Sequence, residues 1–275
     1  MSDQTHLTLN DGLTIPQVGL GVWQTPADTT ADTVAVALAA GYRAVDTAAV
    51  YRNEKGVGEG VRRSGLARGE VFVTTKLWND NQGYDAALTA FDKSLGRLGM
   101  DHVDLYLIHW PAPTQNLYLD SWKALVRLKA EGRAKSIGVS NFAVPHLERI
   151  IGETGVTPAV NQIELHPRFQ QASLRAFHTD KGVLTESWSP LGQGKTLDDP
   201  TLTAIAQRHG KTAAQVVIRW HVQLGLIVIP KSVTPSRIAE NLDVFDFALD
   251  AEDMAAIAGL DGAEGRIGPD PAAFG

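Results

Sequence analysis

The sequence repeats one pattern along most of its length: a short apolar run, a residue that ends it, and then a longer stretch with helical periodicity. Six successive runs end 22 to 33 residues apart, at Asp46, Lys76, His109, Ser140, Gln162 and Trp188. One βα unit needs about 30 residues, so the spacing indicates such a unit repeated along the chain. Strands and helices that alternate in this way form a parallel sheet with helices packed around it.

Eight apolar runs can be counted: QVGLGVW, AVDT, VFVTTK, VDLYLIH, SIGVSN, AVNQIE, VLTESW and LIVIPK. They predict an α/β fold, the (β/α)8 TIM barrel. The alternative is a doubly wound open sheet, which usually begins with a G-x-G-x-x-G turn after its first strand, and the sequence has no such turn. The 275 residues match one barrel, and no Pro/Gly/Ser-rich linker divides them, so we expect a single domain over 1–275.

Further elements are predicted around the barrel. Two alternating runs flank Asn10-Asp11-Gly12, which predicts an N-terminal β-hairpin. The 43-residue interval between Trp188 and Lys231 has room for an extra helix over 202–209. Helical periodicity predicts the remaining helices at 30–40, 54–64, 84–98, 118–130, 145–152, 171–181, 212–223, 235–242 and 251–258.

Composition excludes several classes of site and partner. The sequence has no cysteine, which excludes disulfides and thiolate-bound zinc or iron–sulfur clusters. The net charge of −6 and the lack of a Lys/Arg-rich run predict that the chain binds neither nucleic acid nor an anionic membrane. The N-terminus is polar and no apolar run reaches about 18 residues, so neither a signal peptide nor a membrane span is predicted. We therefore expect a cytoplasmic protein, with a monomer as the default.

Two short motifs suggest other sites. SPLGQGKT resembles the nucleotide-binding pattern G-x-x-x-x-G-K-[ST], but Ser189 replaces its first glycine, and LDDP follows where a helix should begin. ATP binding is therefore not expected. Glu164 and His166 could begin a metal site, but no H-x-H or H-E-x-x-H motif completes it. We expect a structural role for this pair and no metal.

Four polar side chains are predicted to meet at one end of the barrel. Asp46, Lys76 and His109 end three successive strands, and Tyr51 lies in the loop after the first of these. The carboxyl ends of the strands share one face of a barrel, and active sites lie there. We therefore expect the four side chains to converge.

The four residue types suit proton transfer to a carbonyl oxygen. A free tyrosine, with a pKa of about 10, is a poor proton donor at neutral pH, and a nearby ammonium lowers that pKa. Lys76 can supply the ammonium, and Asp46 can hold Lys76 in place and keep it protonated. His109 can orient a substrate oxygen by a hydrogen bond. Together they can protonate a carbonyl oxygen as it becomes an alkoxide.

Several stretches resemble a known family. GYRAVDTAAVYRNEKGVG, MDHVDLYLIHWP and IPKSVTPSRIAENLDVFDF are similar to the three signature regions of the aldo-keto reductases. SIGVSNF, PAVNQIELHP and ESWSPLGQGK resemble its 2,5-diketo-D-gluconic acid reductase branch more closely. The resemblance implies a barrel that reduces carbonyls with NADPH. It also implies a catalytic tetrad of Asp46, Tyr51, Lys76 and His109, in which Tyr51 is the general acid.

The resemblance also implies residues that bind the nicotinamide end of NADPH or NADP+. Ser140, Asn141 and Gln162 would hydrogen-bond the nicotinamide carboxamide, and Trp188 would stack on the ring. Many family members have tyrosine in place of Trp188, whereas tryptophan matches the diketogluconate reductase branch. Other residues implied near this end and the pyrophosphate are Trp23, Asp46, Ser189, Leu191 and Gln193.

A second group of residues is implied to bind the adenosine end of the cofactor. Lys231, Ser232, Thr234 and Arg237 would bind the 2′-phosphate. Two cations and two hydroxyls over seven residues, ahead of a helix, make a good phosphate site and favour NADPH over NADH. Val233, Glu240 and Asn241 complete this group, the last two at the adenine.

The predicted substrate pocket is largely aromatic. We expect it to be lined by Trp23, Tyr51, Trp78, Asn79, His109 and Trp110. Aromatic walls with few polar groups are typical of small-molecule sites. The tail DGAEGRIGPDPAAFG, rich in Gly and Pro, could form a loop over the barrel mouth and influence the choice of substrate.

The predicted activity is NADPH-dependent reduction of an aldehyde, a ketone or a keto-sugar such as 2,5-diketo-D-gluconate. One alternative is a reductase that detoxifies methylglyoxal and other reactive aldehydes. Two further alternatives are an NADPH-sensing module without turnover and another barrel enzyme, such as a sugar-phosphate isomerase. The one partner expected for the predicted reductase is its small-molecule carbonyl substrate.

Overall fold

The computed structural model describes residues 4–275 and begins with a short antiparallel hairpin. Strands β1 (His6–Thr8) and β2 (Thr14–Pro16) pair with Leu7 opposite Ile15. The buried Leu9 and Ile15 pack with residues that begin the barrel strands, including Ala44 and Phe72. The hairpin therefore closes the amino-terminal end of the barrel, opposite the predicted active site.

Eight parallel strands follow in chain order within one sheet. They are β3 (Leu20–Gly21), β4 (Ala44–Asp46), β5 (Phe72–Leu77), β6 (Val103–Ile108), β7 (Ala134–Ser140), β8 (Val160–Glu164), β9 (Leu184–Trp188) and β10 (Ile227–Val228). Parallel bridges join Val18 to Val228 and Gly21 to Lys231, so the first strand lies beside the last and the ring closes. The predicted (β/α)8 barrel with its N-terminal hairpin is confirmed.

The closure depends on a glycine at position 21. Its backbone N–H donates to the carbonyl of Pro230 at 3.1 Å. A Cβ at this position would lie 2.8 Å from the backbone oxygen of Ile229, closer than real Cβ atoms approach a backbone. The two edge strands can therefore meet only because residue 21 has no side chain.

Ten helices lie around the barrel within the described residues. They are α1 (Thr30–Ala39), α2 (Glu54–Arg63), α3 (Tyr84–Leu98), α4 (Tyr118–Ala130), α5 (Val144–Thr154), α6 (Ala172–Lys181), α7 (Pro200–His209), α8 (Ala213–Gln223), α9 (Pro235–Leu242) and α10 (Ala251–Ala258). Helix α7 is the extra helix predicted between Trp188 and Lys231. No helix in the range 4–275 is both long enough and apolar enough to cross a membrane.

Strand β5 shows how the alternation of side chains positions the site. Val73 and Leu77 belong to the core between strands and helices, and Thr75 donates to Glu54 of α2 at 2.6 Å. Thr74 and Lys76, which lie between these residues, face the barrel interior, because successive residues of a strand point to opposite faces. Phe72 lies at the closed end with the hairpin, whereas Lys76 lies near the open end.

Candidate active site

The barrel brings Asp46, Lys76, Tyr51 and His109 together at its open end. Asp46 is the last residue of β4, and Lys76 is next to last in β5. The Lys76 ammonium donates to Asp46 Oδ1 at 2.5 Å and to the carbonyl of Thr47 at 2.9 Å. Tyr51 ends a single 3-10 turn after β4, and the Lys76 Nζ lies 5.2 Å from the centroid of its ring. The rings of Tyr51 and His109 meet edge to face, with centroids 5.7 Å apart.

The pKa of Tyr51 shifts in the direction opposite to the one predicted from sequence. Burial raises the pKa of its hydroxyl, and the ammonium of Lys76 opposes this rise without overcoming it. The acids Asp46 and Glu186 add to the increase. The prediction counted the ammonium alone and was wrong about the net shift, because it omitted the burial and the second acid. Tyr51 therefore keeps its proton at neutral pH and is available as a donor.

Glu186 is a buried acid that the sequence analysis missed. It lies in β9 opposite Gln162 of β8, is 2% exposed, and accepts a hydrogen bond from Gln162 Nε2 at 3.0 Å. The same nitrogen donates to Asp46 Oδ2 at 2.8 Å. One amide thus links two acids inside the barrel. The sequence does contain a signal for Glu186. It lies two residues before Trp188 in the run VLTESW, and the alternation of side chains along a strand places both on the same face.

The two acids hold different charges. Burial raises the pKa of Glu186 to about 8, and the negative charge of Asp46 contributes to the rise. Burial also raises the pKa of Asp46, but Lys76 and Gln162 oppose it. Because Asp46 contacts the ammonium directly, we assign the negative charge to Asp46 and the retained proton to Glu186 at neutral pH. Burial lowers the pKa of Lys76, yet its neighbours Asp46, Tyr51 and Glu186 raise it more, so Lys76 is charged.

His109 is a neutral imidazole in this site. Burial and then the charge of Lys76 hold its pKa well below the usual value. Its ring meets that of Trp78 edge to face at 5.3 Å between centroids. Its Nδ1 is buried without a hydrogen-bond partner in residues 4–275. A neutral imidazole has one N–H donor and one acceptor nitrogen. His109 can therefore form a hydrogen bond with a molecule in the cavity without first losing a proton.

A cavity of about 630 Å³ opens above these groups. Its wall includes Tyr51, His109 and four tryptophans, namely Trp23, Trp78, Trp110 and Trp188. Residues 267–269 of the C-terminal tail line it as well, and sequence reasoning had named none of them individually. Asn79, predicted to line the pocket, lies outside this lining; it is 4% exposed and begins the turn Asn79–Asn81.

The side chains of Trp188, Asn141 and Ser140 form a hydrogen-bonded series beside the cavity. Trp188 Nε1 donates to Asn141 Oδ1 at 2.7 Å, and Asn141 Nδ2 donates to Ser140 Oγ at 3.0 Å. The Ser140 hydroxyl donates in turn to the carbonyl of Gln162 at 2.8 Å. Asn141 and Gln162 line the cavity, whereas Ser140 does not, because it is fully buried and its hydroxyl is engaged within the protein.

A second cleft of about 770 Å³ continues from the first. The two share Trp23, Gln24, Ser189, Pro190, Gln193 and Lys231 in their walls, so they form one groove. All of the residues predicted for the adenosine end line the second cleft, namely Lys231, Ser232, Val233, Thr234, Arg237, Glu240 and Asn241. Leu191, predicted near the pyrophosphate, also lines it.

The chemistry of this groove fits a phosphorylated dinucleotide. Lys231 and Arg237 are exposed cations, and Thr234 precedes α9, whose first backbone N–H groups are free to bind an anion. Ser232 Oγ accepts from the backbone N–H of Thr234 at 3.2 Å, and the hydroxyl donates to the Thr234 carbonyl at 3.5 Å, a long hydrogen bond that a phosphate oxygen can replace. The other end of the groove reaches Tyr51 and Trp188.

The described residues contain no group of three or more His, Cys, Asp or Glu side chains that could hold a metal ion. Glu164 and His166, whose spacing could have begun such a site, bond instead to each other at 3.1 Å. Glu164 also accepts hydrogen bonds from two backbone amides of the tail.

Comparisons with known proteins agree over nearly the whole chain. The model of the aldo/keto reductase family matches residues 16–261. An aldo-keto reductase of Mycolicibacterium smegmatis is 60% identical over 269 residues, and 98% of each chain is covered. A protein named methylglyoxal reductase DkgA from Yersinia pestis is 52% identical over 277 aligned positions, which cover 100% of this chain and 99% of the relative.

A solved structure supports the same assignment. A crystal structure of a Gox0644 variant in complex with NADPH is 57% identical, covers 98% of each chain and has a TM-score of 0.95. The family match spans all eight barrel strands together with Asp46, Tyr51, Lys76 and His109. The chain therefore belongs to the aldo/keto reductase family.

Proposed function

We propose that this protein reduces small aldehydes and ketones to alcohols, and that Tyr51 is the general acid. As a member of its family it is an NADP-dependent oxidoreductase. The observation that carries the proposal is the position of the Lys76 ammonium, 5.2 Å from the centroid of the Tyr51 ring at the floor of an open cavity. A protonated phenol beside a fixed cation can give its proton to a carbonyl oxygen, and the cation stabilises the phenolate that remains.

NADPH, when bound, supplies the hydride. The protein's own groups act on the substrate oxygen, the cofactor and the charge that develops. Tyr51 donates the proton, and Lys76 stabilises the negative charge left on its oxygen. Asp46 keeps Lys76 charged and aimed at Tyr51 through its 2.5 Å contact. His109, as a neutral imidazole, hydrogen-bonds the substrate oxygen and orients it toward Tyr51.

We assign the shared groove to the cofactor. Asn141 and Gln162 lie where they can bind the nicotinamide carboxamide, and Trp188 offers a ring face for stacking. Both side-chain N–H groups of Gln162 donate to Asp46 and Glu186. The side-chain oxygen Oε1 is therefore the atom of Gln162 that can accept a hydrogen bond from the carboxamide. Lys231, Ser232, Thr234 and Arg237 bind the 2′-phosphate, and Glu240 and Asn241 face the adenine. Ser140 acts indirectly, by holding Asn141.

For the substrate we favour small reactive aldehydes such as methylglyoxal. The four tryptophans make the cavity largely apolar, and Lys231, at the cofactor side, is the one basic side chain in its lining. A relative that is 52% identical bears the name methylglyoxal reductase. The sugar acid 2,5-diketo-D-gluconate is the second candidate, since the branch that the sequence resembles is named for it.

An assay of NADPH oxidation across a panel of carbonyls tests this proposal. The panel contains methylglyoxal, 2,5-diketo-D-gluconate, aliphatic aldehydes and aromatic aldehydes. We expect turnover with several members, and higher kcat/KM for methylglyoxal than for the sugar acid. Tight binding of NADPH with no turnover on any of them would instead identify a sensing module. No binding of NADPH would exclude both.

We further propose that residues 1–275 act as one catalytic domain in a monomer. Each side chain assigned here to chemistry or cofactor comes from the same chain. Size-exclusion chromatography with light scattering should give a mass near the 29.6 kDa of one chain. A dimer that loses activity on dilution would contradict this.

A further inference from the structure

Glu164 joins the barrel to the C-terminal tail through a buried carboxylate. It is the last residue of β8, lies opposite Trp188 of β9, and is 3% exposed. Its Oε1 accepts from the backbone N–H of Ile267 at 2.6 Å, and its Oε2 accepts from that of Gly268 at 2.8 Å. The partners are more than 100 residues apart in sequence, so these are tertiary contacts.

The geometry suits an ionised carboxylate. Two consecutive backbone N–H groups each meet one oxygen, and the His166 Nε2 adds a third bond to Oε1 at 3.1 Å. Hydrogen bonds to a charged acceptor are stronger than those between neutral groups. Burial raises the pKa of Glu164, but the hydrogen bonds from His166, Gly268 and Ile267 together lower it by more than burial raises it. The pKa is therefore below its ordinary value, and the carboxylate stays charged at neutral pH.

The segment held in this way forms part of the substrate cavity. Residues 267–269 lie in its lining, on the side that also carries Trp188. A Cβ built on Gly268 would lie 2.5 Å from Trp188 Cη2 and 3.0 Å from Glu164 Oε2. The Gly268 backbone is therefore packed directly against the indole, and little space separates the tail, the ring and the carboxylate.

The tail continues from this point across the mouth. Phe274 packs on Trp110 with ring centroids 4.6 Å apart, and it lies 6.5 Å from the ring of Trp78. Before the segment, Arg266 stacks over the ring of Phe169 at 4.7 Å. Contacts between aromatic rings tolerate small shifts, whereas two hydrogen bonds to one buried carboxylate fix both distance and direction.

We propose that Glu164 is a positioning residue that fixes residues 267–269 as a wall of the substrate cavity, and that it thereby limits the size of the carbonyl substituent the enzyme accepts. The second part of this proposal, the limit on substrate size, rests on the proposed reductase function. The first part, the fixing of the tail, stands on the contacts of Glu164 alone.

The test compares wild type with Glu164→Gln. Glutamine has nearly the same shape, but its NH2 group would face one of the two tail N–H groups, so one bond is lost. Glu153→Gln on α5, where the glutamate is exposed, is the matched control. Hydrogen–deuterium exchange of the peptide covering 264–275 is the first readout, and it needs no activity. We expect exchange about tenfold faster or more in Glu164→Gln, and no change in Glu153→Gln.

The second readout is selectivity, measured as the ratio of kcat/KM for a bulky aromatic aldehyde to that for methylglyoxal. We expect this ratio to rise at least about threefold in Glu164→Gln, because a looser wall admits larger groups. Unchanged exchange of the tail overturns the proposal, as does faster exchange with an unchanged ratio. If the wild-type protein reduces no carbonyl, the proposed function fails, while the exchange measurement still decides whether Glu164 fixes the tail.

A second variant keeps the proposal testable if Glu164→Gln does not fold. Gly268→Ala leaves Glu164 intact but places a methyl group against Trp188, which must push the segment away. It should change tail exchange and selectivity in the same direction. A Gly268→Ala protein with wild-type values for both would also overturn the proposal.

Discussion

The ammonium of Lys76 lies 5.2 Å from the centroid of the Tyr51 ring; Tyr51 is half-buried and lines the cavity, whereas Lys76 is fully buried beneath it. Burial and two neighbouring acids nevertheless leave the pKa of Tyr51 above its usual value. The phenol is thus kept protonated until a substrate oxygen needs the proton. The lysine acts afterwards, on the phenolate, which is where a fixed positive charge contributes most to the rate.

Lys76→Met should abolish most of the activity and also destabilise the protein. We expect kcat to fall by about 10²-fold or more, because the phenolate loses its stabilising charge. Removing one member of a buried ion pair typically costs about 3–5 kcal/mol, since Asp46 is left buried and charged. Thermal unfolding and the carbonyl assay measure the two effects separately.

The double variant Asp46→Asn/Lys76→Met separates charge burial from catalysis. It should recover part of the lost stability, because no unpaired charge remains, while activity stays low. If the double variant were less stable than Lys76→Met alone, the two side chains would not form the ion pair that the 2.5 Å contact indicates.

Glu186→Gln should make stability less dependent on pH. The acid has a pKa of about 8 in the folded protein, against an ordinary value of 4.5. Below 4.5 both states are protonated and burial of Glu186 has no ionic penalty. Between 4.5 and about 8 the unfolded chain ionises while the folded protein does not, so the stability contribution is progressively lost. Above that range it remains lost.

The neutral amide removes this loss, so the Tm advantage of Glu186→Gln over wild type should be small at about pH 5 and largest at about pH 9. Differential scanning calorimetry at several pH values measures it. Ionised Glu186 also raises the pKa of Tyr51. Wild-type kcat/KM should therefore fall above about pH 8, and Glu186→Gln should move that fall to higher pH. Parallel curves of Tm against pH would contradict the assignment of the proton to Glu186.

Arg237→Ala should weaken the preference for NADPH. The guanidinium lines the adenosine end of the groove, and a charge-assisted hydrogen bond to phosphate contributes about 1.5–3 kcal/mol. We expect kcat/KM for NADPH to fall by about tenfold to a hundredfold, with that for NADH nearly unchanged. Arg127→Ala, an exposed arginine on α4, is the control. Equal losses with both cofactors would place the 2′-phosphate elsewhere.

Much of the barrel could be predicted because its signals are local. Helices α3, α4, α9 and α10 have the predicted bounds, since each is set by helical periodicity and clear end signals. Spacing alone placed Asp46, Lys76 and His109 at one end, because parallel strands share the direction of their carboxyl ends.

The parts that were missed depend on burial and on distant contacts. Neither the depth of Tyr51 nor the proximity of Glu186 can be read from spacing, so the net shift in the pKa of Tyr51 could not be predicted. Glu164 meets Ile267 across more than 100 residues, which no local pattern indicates. Asn79 follows a strand as a pocket residue would, but the turn that begins there keeps it buried.

The most direct test of the central claim is Tyr51→Phe, which removes one oxygen and leaves the ring in place beside Lys76 and His109. Steady-state NADPH-dependent reduction of methylglyoxal should fall by at least about 10²-fold, the range that general-acid catalysis supplies. The Kd for NADPH, measured by quenching of tryptophan fluorescence, should stay within about twofold of wild type, a change of less than about 0.5 kcal/mol. Turnover within about tenfold of wild type, with NADPH binding intact, would show that Tyr51 is not the proton donor.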